Sequence, residues 1–209
     1  MENSRDFILL LFKEIAGDCQ KSFNTVFEQY YERLLNYCIH YVRSRETAEE
    51  IVSDVFVKIW QGRKKLKNIQ KPDVYLFTSV RNNALNYLRT FSSGKVVYLE
   101  ASQETILHWD DPEKELEKKE IRVKFQHAIE SLPEQSKLIF RLVKEEGLKC
   151  REVAEILQIS TRSVENQVFR AIKKLDKILM PFIGKKTAVK KTETGISLLL
   201  FIILLISLL

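Results

Sequence analysis

In the stretch CREVAEILQISTRSVENQVFRAIKKL, Cys150 to Leu175, Arg162, Glu165, Asn166 and Gln167 crowd the start of a helical segment, and Arg170 follows one turn on. These residue types can read base edges. Glutamate accepts from cytosine N4, asparagine pairs with adenine, and arginine reaches guanine or phosphate. Lys173 and Lys174 are placed for phosphates further along. The chemistry is recognition by hydrogen bonding and charge, with no bond made or broken.

The elements that would position them are two short helices broken at QIS, a helix-turn-helix whose second member enters the major groove by its N-terminal residues. Ile156, Leu157, Ile159, Val164 and Val168 recur where they would hold the two helices together. Gln158 falls at the turn, where glycine would adopt a left-handed backbone at least cost. The preceding SLPEQSKLIFRLVKEEG predicts a helix opened by a capping box at Ser131 and Glu134 and ended by Gly147. An ordinary helical hairpin is the plain alternative for the whole stretch.

A second polar constellation lies earlier. Gln61–Pro72, QGRKKLKNIQKP, reads as a basic loop in which Arg63, Lys64, Lys65 and Lys67 suit phosphates. Pro72 then opens a helix through Arg89, with Phe77, Val80, Ala84 and Leu88 inward and Ser79, Asn82, Asn83 and Asn86 on polar positions. Positive charge, amides and the rings of Tyr75 or Phe77 together suit capture of a single strand or of a base turned out of its stack. A solvated turn beside a polar helix face would look similar. Glu46–Trp60 is different: Glu46, Glu50 and Asp54 recur every four residues beside Glu49 and Ser53, opposite Ile51, Val52, Val55, Phe56, Ile59 and Trp60. An acidic row repels DNA and suits a basic protein partner.

Composition bounds the rest. The chain has 209 residues, 45% hydrophobic, with only 6 Gly and 4 Pro, which favours an all-α fold. Further helices are expected over Phe7–Ala16, ended at Gly17-Asp18, and over Ser22–Tyr41, where Phe23, Phe27, Tyr30, Leu34, Tyr37 and Tyr41 form one apolar stripe. Net charge runs in blocks, −4 over residues 1–57, +8 over 58–95, −5 over 100–120 and +6 over 147–209. Such alternation points to polyanion contact at the basic blocks. Cys19, Cys38 and Cys150 match no zinc spacing, and an odd count suits a reducing compartment. FILLLF is too short for a signal peptide and has no cleavage site. No phosphate-binding loop, HExxH or nucleophile–base pair is present, so enzymatic chemistry, cofactors and metals are not expected.

The domain reading is therefore two helical bundles, residues 1–90 and 112–183, joined by a flexible linker over 91–111, with a basic stretch and an apolar tail over 184–209. The tail, GISLLLFIILLISLL, holds 14 residues from Ile196 to Leu209 with only Ser197 and Ser207 polar. As a helix it would reach about 21 Å, short of a roughly 30 Å hydrocarbon core. Lys185, Lys186, Lys190 and Lys191 precede it and suit an anionic inner leaflet. Three readings are open for it: attachment to the inner membrane, packing on the protein itself, or binding a partner.

AEEIVSDVFVKIW followed by YLFTSVRNNALNYLR resembles region 2 of the sigma-70 family, in particular its extracytoplasmic-function (ECF) group, and LPEQSKLIFRLVKEEGLKCREVAEILQISTRSVENQVFRAIKKL resembles region 4 of that group. The resemblance runs over roughly 18–179, in the family's order and spacing. It implies a cytoplasmic sigma factor that binds core RNA polymerase and promoter DNA, with an anti-sigma protein as a further partner. It places Glu50, Ser53 and Asp54 on polymerase, with Ser53 standing where the family often has Gln. It assigns Arg63, Lys64, Lys65, Asn82, Asn83 and Asn86 to opening the −10 element, with Asn82 in the family's "RN" pair. Arg162, Glu165, Asn166, Phe169, Arg170 and Lys173 are carried to the −35 element, although Phe169 can equally well pack in the core. The linker would run through the polymerase. Two rivals remain: a promoter-binding regulator that never touches polymerase, and a membrane-linked module for protein partners.

Overall fold

The computed structural model describes residues 2–91, 123 and 125–183, and no strand occurs among them. α1 spans Glu2–Ala16, α2 Gln20–Val42 and α3 Arg45–Gln61; a 3-10 helix over Arg63–Asn68 leads to α4, Pro72–Phe91. Residues 125–130 are helical, and α5 (Glu134–Lys144), α6 (Cys150–Leu157) and α7 (Thr161–Ile183) follow. The chain divides into two compact units: α1–α4 make up the first, and α5, α7 and most of α6 belong to the second. Apart from Phe91, which ends α4, the expected linker lies outside the described residues, as does the tail 184–209. Among the described residues no helix is long and apolar enough to cross a membrane.

In the first unit every helix contributes an apolar stripe at helical spacing. Ile8, Leu11, Phe12 and Ile15 of α1 are buried, as are Val26, Tyr30, Leu34, Leu35, Tyr37 and Cys38 of α2. α3 buries Ala48, Ile51, Val52, Val55, Phe56 and Ile59, and α4 buries Val74, Leu76, Phe77, Val80 and Ala84. Helix α3 packs on both α2 and α4. One polar contact links α2 to α4 and another lies within α2. The Tyr30 hydroxyl donates to Asp73 Oδ1 at 2.7 Å, and the Tyr37 and Tyr41 hydroxyls lie 3.0 Å apart. Burial, then the Asp73 carboxylate, pushes the Tyr30 phenol well above its ordinary range. Burial pushes the Cys38 thiol up to about 12, so this cysteine is a packing residue.

Several sequence expectations shift. α1 begins at Glu2 rather than Phe7. The α2 stripe is rotated by one position: Val26 takes the buried place, leaving Phe27 37% exposed and Phe23 and Tyr41 half-buried. Phe27 packs instead on the rings of Tyr31 and Phe56 at the edge of the core. The basic segment is no open loop. Leu66 is buried beneath the 3-10 helix, which packs on α1 and holds Lys64, Lys65 and Lys67 outward.

The second unit gathers Phe125, Ala128, Ile129, Leu132, Phe140, Ala171 and Leu175 into one core. An ion network ties residues 125–130 to α5. Lys137, 8% exposed, donates to Glu130 at 2.6 Å and Glu134 at 3.1 Å, and Arg141 donates to Glu130 at 2.8 Å. This network displaces the expected capping box. Glu134 turns to Lys137, the Ser131 hydroxyl donates to the Ala128 carbonyl at 2.7 Å, and Pro133 stands at the N-cap without a side-chain bond. Gly147, left-handed at φ 68°, lies two residues past the α5 C-cap, Glu145, rather than at the helix end.

Between α6 and α7, Gln158 adopts φ 57° while the Ile159 N–H donates to the Ala154 carbonyl at 3.1 Å. That is a left-handed helix stop made by a residue with a Cβ, at a cost of about 1 kcal/mol. Gln158→Gly should therefore stabilise the folded chain by roughly 1 kcal/mol in urea unfolding. A loss of stability would show that the side chain, not the backbone, holds the turn.

Candidate nucleic-acid interfaces

The sequence of α7 alternates so as to split the helix cleanly. Val164, Val168, Ala171 and Leu175 are buried, whereas Arg162, Glu165, Asn166, Phe169, Arg170 and Lys173 are exposed. All six residues named for duplex reading thus share the outward side of one helix. Its start is fixed by Ser160, whose Oγ accepts from the Ser163 N–H at 3.1 Å. The start of α6 is tied by Glu152, which accepts from the Lys149 N–H at 2.8 Å. Phe169, with two open expectations, is 67% exposed and takes no part in the core. An exposed ring beside Asn166 and Arg170 can meet a thymine methyl while its neighbours hydrogen-bond.

Two residues of α7 bond within the unit. Gln167 is half-buried and accepts from the Ser136 hydroxyl at 3.1 Å. Lys174, expected on phosphate, donates to the Ser131 carbonyl. Cys150 is half-buried; burial and the nearby Glu165 carboxylate both raise its thiol, which leaves it protonated and inert.

In the first unit the acidic row is presented as its spacing requires. Glu46, Glu50, Ser53 and Asp54 are exposed along α3, which Ser44 caps by accepting from the Thr47 N–H at 3.2 Å. Glu49 pairs with Arg45 at 2.9 Å and is less available. Sequence reasoning missed the apolar surface beside this row. Val57 is 52% exposed, and Phe27 stacks with Phe56 and Tyr31 at centroid distances of 4.8 and 4.9 Å.

The basic segment divides its labour. Lys64, Lys65 and Lys67 are exposed. Arg63 is held: it donates to the Asp18 carboxylate and, at 2.9 Å, to the Trp60 carbonyl, and its guanidinium lies 4.6 Å from the Trp60 ring centre. On α4, Asn82 and Asn86 are exposed, one turn apart. Asn83 is half-buried and bonded through both amide atoms, to Lys58 Nζ and to the Ser79 carbonyl, each at 2.8 Å. Phe77 is fully buried against Tyr37, so its ring is not free for stacking, whereas Tyr75 is half-buried, edge-on to Phe12 at 6.2 Å. No cluster of His, Cys, Asp and Glu suited to a metal occurs among the described residues.

Comparison with known proteins bears on both surfaces. Residues 26–92 match the family model of sigma-70 region 2, and residues 122–175 match that of sigma-70 region 4. The chain is 27% identical over 155 residues to RNA polymerase sigma factor SigZ of Bacillus subtilis, covering 74% of this chain and 85% of that protein. It is 26% identical over 184 residues to the ECF RNA polymerase sigma-E factor of Escherichia coli, covering 84% and 96%. Its fold is similar to that of the sigma factor RpoE in complex with the anti-sigma factor NepR from Bartonella quintana, at TM-score 0.55 and 19% identity, over 76% of this chain and 97% of that one.

The placement of Phe169 has a direct check. Phe169→Ala should change stability by no more than about 0.5 kcal/mol in urea unfolding. A loss of about 3–5 kcal/mol, the cost of emptying a core site, would return the ring to the interior.

Proposed function

The chain belongs to the sigma-70 family, in its ECF group, and we propose that its exposed side chains divide a sigma factor's work among three surfaces. It binds core RNA polymerase, recognises the −35 and −10 promoter elements and promotes DNA opening. It is a transcription initiation factor rather than an enzyme; the catalytic chemistry belongs to the polymerase.

The outward face of α7 reads the −35 duplex. Arg162, Arg170 and Lys173 supply charge, Glu165 and Asn166 hydrogen-bond base edges, and Phe169 makes apolar contact. Lys64 and Lys65, with Lys67, grip the backbone near the −10 element, while Arg63 fixes the frame that carries them. Asn82, Asn83 and Asn86 face the opened strand. Glu50, Ser53 and Asp54 dock on a basic surface of the polymerase, and Val57 and Phe27 extend that contact with apolar area. The exposed acidic row carries this division, because a regulator that acted on DNA alone would be repelled there and gain nothing.

An anti-sigma protein is a fitting regulator, since these surfaces must be covered to silence the factor. The lysines and apolar run over 185–209 support attachment to the anionic inner leaflet of the membrane.

Asp54→Lys reverses one charge at an exposed position, so the fold should persist. It should lower core polymerase capture in a pull-down at least tenfold while leaving affinity of the free chain for −35 duplex unchanged. Equal capture of variant and wild type would remove the acidic row from the polymerase contact.

A further inference from the structure

Asn83 is oriented by chemistry that admits only one answer. Lys58 Nζ, on α3, donates to Asn83 Oδ1 at 2.8 Å, and Asn83 Nδ2 donates to the Ser79 carbonyl at 2.8 Å. An ammonium can only donate and a carbonyl can only accept. Turning the amide over would therefore set N–H against ammonium and oxygen against oxygen, losing both bonds. A primary amide has two lone pairs and two N–H groups; with one of each engaged, one of each remains.

We propose that Lys58 is a positioning residue for promoter reading. It pins the Asn83 amide so that the remaining lone pair and N–H meet a base edge carrying an amino donor beside a ring-nitrogen acceptor, as adenine does. This rests on the assignment of α4 to the −10 element. An exposed amide turns over freely and accepts either arrangement of donor and acceptor; a pinned one discriminates. Lys58 is exposed and stands one turn beyond Asp54, so the pin is rooted in the helix that docks on polymerase. The sequence alone conceals this, since 25 residues separate the partners.

The competing role for Lys58 is that of a simple phosphate-binding cation, and the two roles differ in what they predict. Losing a phosphate contact weakens binding to every sequence alike and lowers the salt slope by about one. Losing a pin flattens base preference at one position. The full-length chain is assembled with core polymerase on templates carrying each base at each position of the −10 element, and heparin-resistant complexes are counted. Lys58→Met should reduce a preference of about tenfold to about twofold at a single position, with preferences elsewhere intact. Lys58→Arg, which keeps the donor, should retain most of it. Asn83→Ala should flatten the same position, and the double variant should do no more than either alone. An unchanged base profile for Lys58→Met, or uniform loss across templates with a shallower salt slope, overturns the inference while leaving the factor's role standing. Failure of the wild-type chain to form promoter complexes overturns both.

Discussion

The first unit depends on the burial of one face of α3. Ile51, Val52, Val55, Phe56 and Ile59 must leave water, and α2 and α4 together supply the surface that receives them. Once that face is fixed, the period of 3.6 residues leaves no freedom for the others. Glu50, Ser53 and Asp54 are turned to solvent, and Lys58 comes within hydrogen-bonding distance of α4. The proposed polymerase contact and the proposed promoter contact thus share one packed helix.

The second unit applies the same constraint to duplex DNA. Packing fixes α7 by its buried residues, and the exposed set follows at the intervening positions. Helix α5, which packs on α7, is anchored by the Lys137 network, whose nearly buried ammonium holds two carboxylates. Removing either kind of partner would strand a charge in a poorly hydrated place, so the network fixes geometry more firmly than it adds stability. At Gln158 the chain accepts a left-handed backbone without glycine, the kind of local cost that a well-packed surround can hold in place.

Much of this was legible in the sequence because it follows from period. The helices, the acidic row, the turn at Gln158 and the outward set on α7 all fall out of helical spacing. What escaped depended on competition between side chains. Val26 is buried while Phe27 sits at the edge of the core; Arg63 is bonded to Asp18 and the Trp60 carbonyl, and Lys174, still exposed, donates to the Ser131 carbonyl. Glu134 left its capping box for Lys137. Leu66 was hidden among four cations, yet it is the residue that folds the basic segment into a 3-10 helix. Charge patterns reveal that a surface binds; the three-dimensional neighbours decide which of its charges are still available.

The division of surfaces makes the chain a carrier of specificity, bringing promoter recognition to an enzyme that supplies the chemistry. Run-off transcription with purified core polymerase and a pool of genomic promoters tests this most directly. The account predicts transcripts that appear only when the chain is added, arising from a small set of promoters that share one pair of −35 and −10 elements. No chain-dependent transcript from any template, with the chain still retained on duplex DNA through α7, would contradict it.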